Sequence, residues 1–288
     1  MFQNLRKSKK LLLIAMTCAT FAIAGCGSDT TKTTADNGTS VTWSETFDGT
    51  KTDFTVKSAP THAVSMSQAT TEMMLQLGLE DKMAGTAFKE EEIYPPLQAA
   101  YDKVKVLSEK WPSYEVFMSV KPDFATGWPD SFSKRAIPAD KMISQKVNIW
   151  IPESMLSTKA DLETNFSDMI KLGEIFGVKP KAEEWVAGQR KTLAAIQDKL
   201  KDLPRKRVFI YDSEDGQPFT AFEGYTTNIL KLIGADNVMS GLGVDKTWAK
   251  GSWETVIAQN PDYIIIADYG TSIRNDDDFQ QKIEKIKS

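Results

Sequence analysis

The chain has 288 residues, of which 41% are hydrophobic and 26% charged, as in a soluble globular protein large enough for two lobes. Its formal net charge of −4 disfavours a surface that binds nucleic acid or another polyanion. A single histidine cannot supply a multi-histidine metal site, and two cysteines leave few candidates for covalent catalysis.

The N-terminal 26 residues have the pattern of an export signal. A basic start, MFQNLRKSKK, precedes the apolar run LLLIAMTCATFAI, which is too short to span a bilayer comfortably, and IAGC then ends on Cys26. This pattern resembles a bacterial lipoprotein signal, which is cut before the cysteine that is then acylated. We therefore expect a signal peptide over 1–25 and a lipid anchor to the bacterial cell membrane at Cys26. A plain secretory signal is the alternative.

Cleavage changes both the charge and the thiol content of the chain. It removes four positive charges and no negative one, so the formal charge moves from −4 to −8. Cys18 leaves with the signal and Cys26 takes the lipid, so no thiol remains for a disulfide or a zinc site. Residues 26–50 include GSDTTKTTADNGTS, a polar stretch that predicts a flexible tether.

The first half of the globular part, 51–178, alternates short apolar strands with helical stretches. The predicted strands are HAVSM, KMAGTA, VKVL, PDFATGW and VNIWI, and the predicted helices include ATTEMMLQLGL and YPPLQAAYD. Alternating strand–helix units favour a mainly parallel sheet covered by helices. We therefore predict an N-terminal α/β lobe.

Two long helices and a second, shorter α/β lobe follow. Apolar residues recur at helical spacing over 159–177 and over 179–200, and the second of these predicts a helix that bridges the lobes over 179–201. The second lobe, 202–288, has strands KRVFIYD and DYIIIAD, the latter predicted to be buried, and helices YTTNILKLIG and DDDFQQKIEKIKS. It is shorter than the first lobe, and we expect it to be truncated.

A short pattern occurs once in each half of the chain. SYEVFMSVKPDF spans 113–124 and SWETVIAQNPDY spans 252–263, and the two align without a gap. Ser113 and Ser252 are good helix N-caps, and Glu115 and Glu254 then fall in the first turn, where the helix dipole favours a carboxylate. Capping alone would explain either copy, but the recurrence indicates two related lobes.

These segments together resemble the ABC-transporter substrate-binding lipoproteins of the helical-backbone class, which serve ferric siderophores, haem and cobalamin. The likeness covers about residues 52–275 and includes VSMSQATTEMMLQLGL, VKPDFATGW and SWETVIAQNPDYII in their order. It implies an α/β fold of two Rossmann-like lobes with mainly parallel sheets, joined by a long bridging helix, with the ligand between the lobes.

The resemblance also implies partners. A membrane permease with its cytoplasmic ATPase would receive the ligand, and its arginines would contact Glu115 and Glu254. The ligand would be a metal chelate, with a ferric siderophore favoured and a corrinoid second. We expect a monomer with no cofactor of its own, no nucleic-acid partner, and a membrane contact through its lipid.

Aromatic residues follow several predicted strands. Ligands of open α/β sheets bind beyond the carboxyl ends of the strands. The aromatic residues at those positions are Trp111, Trp128, Tyr211, Phe219, Trp248 and Tyr269. Trp128, Phe219 and Trp248 resemble family positions around a cobalamin, although each aromatic could instead lie in the core.

Two arginines near these loops are further candidates. Arg135 follows the Trp128 loop and Arg274 follows the Tyr269 loop, and either could pair with an anionic siderophore or simply lie in solvent.

No catalytic motif is present. The chain lacks G-x-S-x-G, H-E-x-x-H and P-loop patterns, so we predict that it is not an enzyme. The alternative is a surface lipoprotein enzyme that reuses this fold with carboxylate chemistry. An adhesion or scaffold lipoprotein is a third reading.

Overall fold

The computed structural model describes residues 40–268 and 278–288 of the chain. None of the helices in these residues is both long enough and apolar enough to cross a bilayer. The strands are β1 (Val41–Phe47), β2 (Thr50–Val56), β3 (Ala63–Ser65), β4 (Met83–Ala87), β5 (Val106–Ser108), β6 (Phe124–Thr126), β7 (Asn148–Trp150), β8 (Lys206–Tyr211), β9 (Ser213–Glu214), β10 (Pro218–Ala221), β11 (Ala235–Asn237), β12 (Trp248–Lys250) and β13 (Tyr263–Ile266). The α-helices are α1 (Gln68–Gln76), α2 (Gln98–Tyr101), α3 (Tyr114–Ser119), α4 (Ala139–Ser144), α5 (Leu162–Ile175), α6 (Lys179–Leu200), α7 (Tyr225–Leu232), α8 (Trp253–Gln259) and α9 (Asp278–Lys287).

The first lobe is built on a parallel five-stranded sheet with the order β5-β4-β3-β6-β7. Alternate residues of its strands enter two different core clusters: Phe124 and Trp150 lie in one, and Ala125 and Ile149 in the other. The sheet is therefore buried on both faces, as a parallel sheet requires. This confirms the predicted α/β lobe.

The first lobe includes a segment that the sequence analysis assigned to the tether. Residues 41–50 were assigned to the tether, but β1 pairs antiparallel with β2 through a two-residue turn. Asp48 and Gly49 form the turn with φ values of 47° and 78°, the positive values that a tight hairpin turn of this twist needs. Alternate residues of β1, such as Trp43, face the lobe, and the polar residues between them face solvent.

The hairpin covers the free edge of β7, the last strand of the sheet. The Trp43 indole donates to the Ile149 carbonyl at 2.7 Å. The Ile151 N–H donates to Glu45 Oε1 at 3.0 Å. Two side chains of β1 thus satisfy backbone groups that an exposed edge would present to solvent or to another chain.

The two helices predicted over 159–177 and 179–200 are confirmed as α5 and α6. Asp161 forms a capping box at the start of α5, and Pro180 lies in the first turn of α6. Only Ala182 and Val186 of α6 are buried. Arg190 still contacts Glu163 of α5, and the helix then leads to β8 of the second lobe.

The second lobe has two small sheets. β8 lies between β11 and β13 in a parallel sheet, as predicted, whereas β10 lies between β9 and β12 in an antiparallel one. β13 is an edge strand, and its residues Tyr263 and Ile265 are 56% and 47% exposed. The prediction of a buried strand is therefore wrong on that face of β13, because no described element covers it.

The repeated pattern begins a helix in both lobes. Ser113 accepts a hydrogen bond from the Val116 N–H at the start of α3, and Ser252 accepts one from the Thr255 N–H at the start of α8. The predicted caps are confirmed.

The Pro-Asp of each copy ties two strands together. Asp123 accepts the N–H of His62 at 3.0 Å just before β3, and Asp262 accepts the N–H of Arg207 at 2.8 Å in β8. The repeat is thus one structural unit used twice: a capped helix, a turn, and a carboxylate that fixes the next strand beside the first strand of its parallel sheet.

Candidate functional site

The carboxyl ends of the parallel strands define the candidate site in each lobe. In the first lobe, the chain leaves β4 at Phe88 and β6 towards Trp128. In the second lobe it leaves β8 at Asp212 and β13 at Ala267. Backbone groups and side chains at these edges are where an α/β sheet holds a ligand.

Trp111 and Phe88 form an aromatic pair on the first lobe. Their rings stack with centroids 4.5 Å apart and planes 19° apart, and the Trp111 indole donates to the Met66 carbonyl at 3.0 Å. Phe88 has a φ of 60°, which is rare for a bulky residue and is more often found at functional sites. The sequence analysis missed Phe88, although it directly follows the predicted strand KMAGTA.

Glu90, which the sequence analysis also missed, follows β4 and lies near Trp128. Burial raises the pKa of Glu90, and the nearby Trp128 indole partly offsets this. Gln68 Oε1, at the start of α1, accepts the N–H groups of Glu90 and Glu91 at 2.9 and 2.7 Å. Since β3 lies between β4 and β6, these residues lie around the carboxyl end of β3.

Arg135 lies on the rim of this region. Its side chain is 73% exposed, and its Nη1 contacts Asp130 Oδ2 at 2.5 Å. The positive charge is therefore compensated by an acid of the same loop, and the guanidinium faces solvent.

Phe219 and Trp248 form the aromatic pair of the second lobe. They lie on the neighbouring strands β10 and β12, are both half-buried, and stack with centroids 6.2 Å apart and planes 17° apart. The structure thus brings together two residues that are 29 positions apart in the sequence. Each lobe thus has a stacked aromatic pair near the carboxyl end of a strand of its parallel sheet: Phe88 directly follows β4, and the Phe219 carbonyl accepts the N–H of Asp212, which directly follows β8.

Tyr211 is placed in the core, which corrects the prediction that it lines the site. It is 1% exposed, packs between Phe209 and Trp253, and its hydroxyl donates to Glu214 Oε2 at 2.5 Å. The reason is its place on β8, the central strand of its sheet, where side chains on both faces are covered.

Glu115 and Glu254 lie at corresponding places on the two lobes. α3 follows β5 and leads into β6, and α8 leads into the parallel strand β13, so both helices begin at the carboxyl edge of their sheet. Both side chains are exposed. The backbone N–H of Glu115 itself and the Ser113 hydroxyl lower the pKa of the Glu115 carboxyl. Each lobe therefore presents an exposed glutamate of the repeat at the carboxyl edge of its parallel sheet.

The lobes also contact each other away from α6. Asn228 Nδ2 of α7 donates to the Ala160 carbonyl at 2.8 Å. Gly224 has a φ of +85°, and a Cβ there would lie 3.1 Å from the Ser157 carbonyl oxygen, so only glycine allows this approach. The segment 157–160 and the start of α7 thus form a second connection between the lobes.

Three of the predicted residues cannot be placed. Cys26, Tyr269 and Arg274 lie outside the described residues. Within 40–268 and 278–288, no cluster of three histidine, cysteine or acidic side chains could hold a metal ion.

A family model described as periplasmic binding protein matches residues 64–287. The matched region starts at the first strand of the parallel sheet, so the β1–β2 hairpin lies before it. Among solved structures, a periplasmic binding protein from Veillonella parvula DSM 2008 is 98% identical, with a TM-score of 0.82 over 87% of this chain and 84% of that one. An ABC-type Fe3+-hydroxamate transport protein from Saccharomonospora viridis DSM 43017 is 20% identical, with a TM-score of 0.62 over 78% and 79%.

Two curated relatives cover most of the chain. An uncharacterised ABC transporter substrate-binding lipoprotein, YvrC, of Bacillus subtilis (strain 168) is 27% identical over 91% of this chain and 82% of that protein. A vitamin B12-binding protein of Yersinia pestis (strain Pestoides F) is 23% identical over 75% and 73%.

Proposed function

The chain belongs to the periplasmic binding protein family, and from that premise we propose that it captures a metal chelate for an ABC importer. The observation that carries the proposal is a stacked aromatic pair near the ligand-binding edge of each lobe: Phe88 with Trp111, and Phe219 with Trp248. Flat apolar rings suit a large, rigid chelate, because they bury much of its surface without needing a particular donor set.

The ligand is proposed to be a ferric siderophore or a corrinoid. Relatives named for hydroxamate transport and for vitamin B12 binding support this class. The helix α6 and the contact between Asn228 and Ala160 join the lobes at two places, which favours a modest change of lobe angle on binding.

Glu115 and Glu254 are proposed to contact arginines of the permease. Each lies in the first turn of a helix that a serine caps, so the backbone that carries each carboxylate is held in place. A pair of fixed charges, one on each lobe, would orient the docked protein through charge-assisted hydrogen bonds. Delivery to the permease would use the energy of its ATPase.

A lipid on Cys26 is proposed to hold the protein at the outer surface of the cell membrane. The relative named as a lipoprotein supports this. About 15 residues of tether would separate the lipid from β1, in place of the longer tether that the sequence suggested.

The experiment that tests the binding function is native mass spectrometry of the purified protein with a panel of ferric siderophores and corrinoids. We expect one chelate per chain, recovered unchanged after incubation, and quenching of tryptophan fluorescence on binding. A matched control is Tyr263→Ala, which removes an exposed aromatic from the opposite, amino end of the second-lobe sheet and should leave binding unchanged. Chemical conversion of a bound compound would instead favour the enzyme alternative, and no binding to any chelate would contradict the proposal.

A further inference from the structure

The β1–β2 hairpin reaches the edge of the first lobe at which the candidate site lies. The Trp43 indole donates to the Ile149 carbonyl at 2.7 Å. Further along both segments, the Ile151 N–H donates to Glu45 Oε1 at 3.0 Å. The two contacts advance in the same direction along both segments, so β1 runs beside β7 with the same sense. The last residue of β1, Phe47, therefore lies towards the carboxyl edge of the sheet, and the hairpin turn follows it.

Phe47 packs on the segment that begins at Trp128. A short helical turn, Pro129–Phe132, follows β6, and Trp128 is its N-cap, whose carbonyl accepts the Ser131 N–H at 2.9 Å. The rings of Phe47 and Phe132 meet edge to face, with centroids 6.4 Å apart and planes 66° apart. The hairpin is therefore in direct contact with the turn that carries Trp128.

The same turn has a second support on the backbone that precedes α1. Ser131 is fully buried, and its hydroxyl donates to the Met66 carbonyl at 3.3 Å. The Trp111 indole donates to the same carbonyl at 3.0 Å. The turn is thus held by a hydrogen bond on one side and by an aromatic contact with the hairpin on the other.

A cavity of about 400 Å³ lies beside the contact between Phe47 and Phe132. The hairpin tip, the turn, α4 and the segment after β7 all line it, with Pro129 and Ile143 among its apolar walls. Side chains beside a cavity have few other neighbours to hold them. Removal of the Phe47 ring would therefore enlarge the cavity and leave the turn less constrained.

We propose that Phe47 is a positioning residue for ligand binding: by packing on Phe132, it fixes the turn that presents Trp128 to the chelate. The inference rests on the chelate-binding function proposed above and on Trp128 as a wall of that site. It gives the hairpin, which lies before the region that the family model matches, a role in affinity as well as in covering the edge of β7. Phe47 acts through Trp128 and need not contact the ligand itself.

The test is a double-mutant cycle on the purified full chain. Dissociation constants for cyanocobalamin, a ferric trihydroxamate and a ferric triscatecholate are measured for the wild type, Phe47→Ala, Trp128→Ala and the double variant. Phe47→Leu, which keeps apolar volume without the ring, takes the place of Phe47→Ala if thermal unfolding shows that the alanine variant is not folded.

Two further variants serve as controls. Phe47→Tyr keeps the ring, and its hydroxyl can reach solvent from this half-buried position, so it should bind as the wild type does. Val41→Ala removes apolar contact at the other end of β1, where Val41 packs against the other core cluster. It should weaken the attachment of the hairpin without changing the affinity for the chelate.

We expect Trp128→Ala to weaken binding of the tightest of the three chelates about tenfold, and Phe47→Ala to weaken it about threefold or more. In the Trp128→Ala background, Phe47→Ala should cause little further loss, because the side chain that it positions is gone. A residue that only stabilised the fold would not show this dependence on Trp128.

Three results would overturn the inference while leaving the binding function in place. They are an unchanged dissociation constant in Phe47→Ala or in Trp128→Ala, the same loss from Phe47→Ala in both backgrounds, and an equal loss in Val41→Ala. If none of the three chelates binds the wild type, the proposed function fails and this inference fails with it.

Discussion

Glu45 provides a test of how the β1–β2 hairpin is held on the first lobe. Its side chain is 6% exposed, and Oε1 accepts the Ile151 N–H. Burial, with smaller contributions from Glu153 and Asp168, raises the pKa of Glu45 from 4.5 to about 7, against a lowering by the bond from Ile151. The folded protein therefore binds a proton at Glu45 more tightly than the unfolded chain does.

The sign and size of the effect follow from this difference. The stabilisation by Glu45 is fully present below pH 4.5 and is lost as the pH rises through about 7. A difference of about 2.5 pKa units corresponds to about 3 kcal/mol. For a folded unit of this size, that is roughly 6–12 °C in the unfolding midpoint. The contribution of Asp168 to stability also decreases as the pH rises, because burial raises the pKa of Asp168 as well.

The perturbation is Glu45→Gln, and the assay is thermal unfolding at about pH 5 and about pH 8.5. The amide stays neutral and can still accept the Ile151 N–H, so the variant should lose much less stability than the wild type between these pH values. Glu184→Gln, an exposed change on α6, should follow the wild type. If the wild type and Glu45→Gln lose the same stability between the two pH values, a raised pKa of Glu45 is not a source of the pH dependence of folding.

The remaining predictions concern the anchor, the ligand and the permease. Cys26→Ala should release the protein from the membrane fraction, which immunoblotting of cell fractions would show; retention would exclude the anchor. Phe219→Ala and Trp248→Ala should each weaken chelate binding about tenfold, measured by fluorescence titration, because each removes half of a stacked pair. Reversing Glu115 and Glu254 together to lysine should abolish transport of radiolabelled chelate while leaving its affinity in solution unchanged. Normal transport by that double variant would mean that Glu115 and Glu254 stabilise only the starts of their helices and do not contact the permease.

The strongly periodic parts of the fold could be predicted from the sequence. The helix over 179–200 matches α6 at both ends, since a long amphipathic pattern with proline in its first turn leaves few alternatives. The paired caps at Ser113 and Ser252 were also found, because capping depends on residues that are adjacent in the chain.

The hairpin was missed because its evidence is not local. Val41–Phe47 alternates apolar and polar residues, but its place on the lobe depends on Trp43 and Glu45 reaching the backbone at and just after β7, more than a hundred residues further on. The Asp48–Gly49 pair was an available signal, since Asp-Gly between two alternating runs is typical of a tight hairpin.

The site was predicted by position and therefore only in part. The sequence analysis took aromatic residues that follow strands as candidates to line the site. This rule wrongly included Tyr211, which ends the central strand and is buried. It should also have included Phe88, which directly follows β4 and stacks on Trp111. Glu90 could not be found in this way, because its nearness to Trp128 joins loops that follow two different strands, β4 and β6.

The central claim is that one chelate binds between the aromatic pairs of the two lobes, and a crystal structure of the protein with its tightest-binding chelate tests it most directly. The account predicts a single chelate that contacts Trp111 or Trp128 on one side and Phe219 or Trp248 on the other. A chelate held by one lobe alone, at the amino ends of the strands, or on the outer surface of α6 would contradict it.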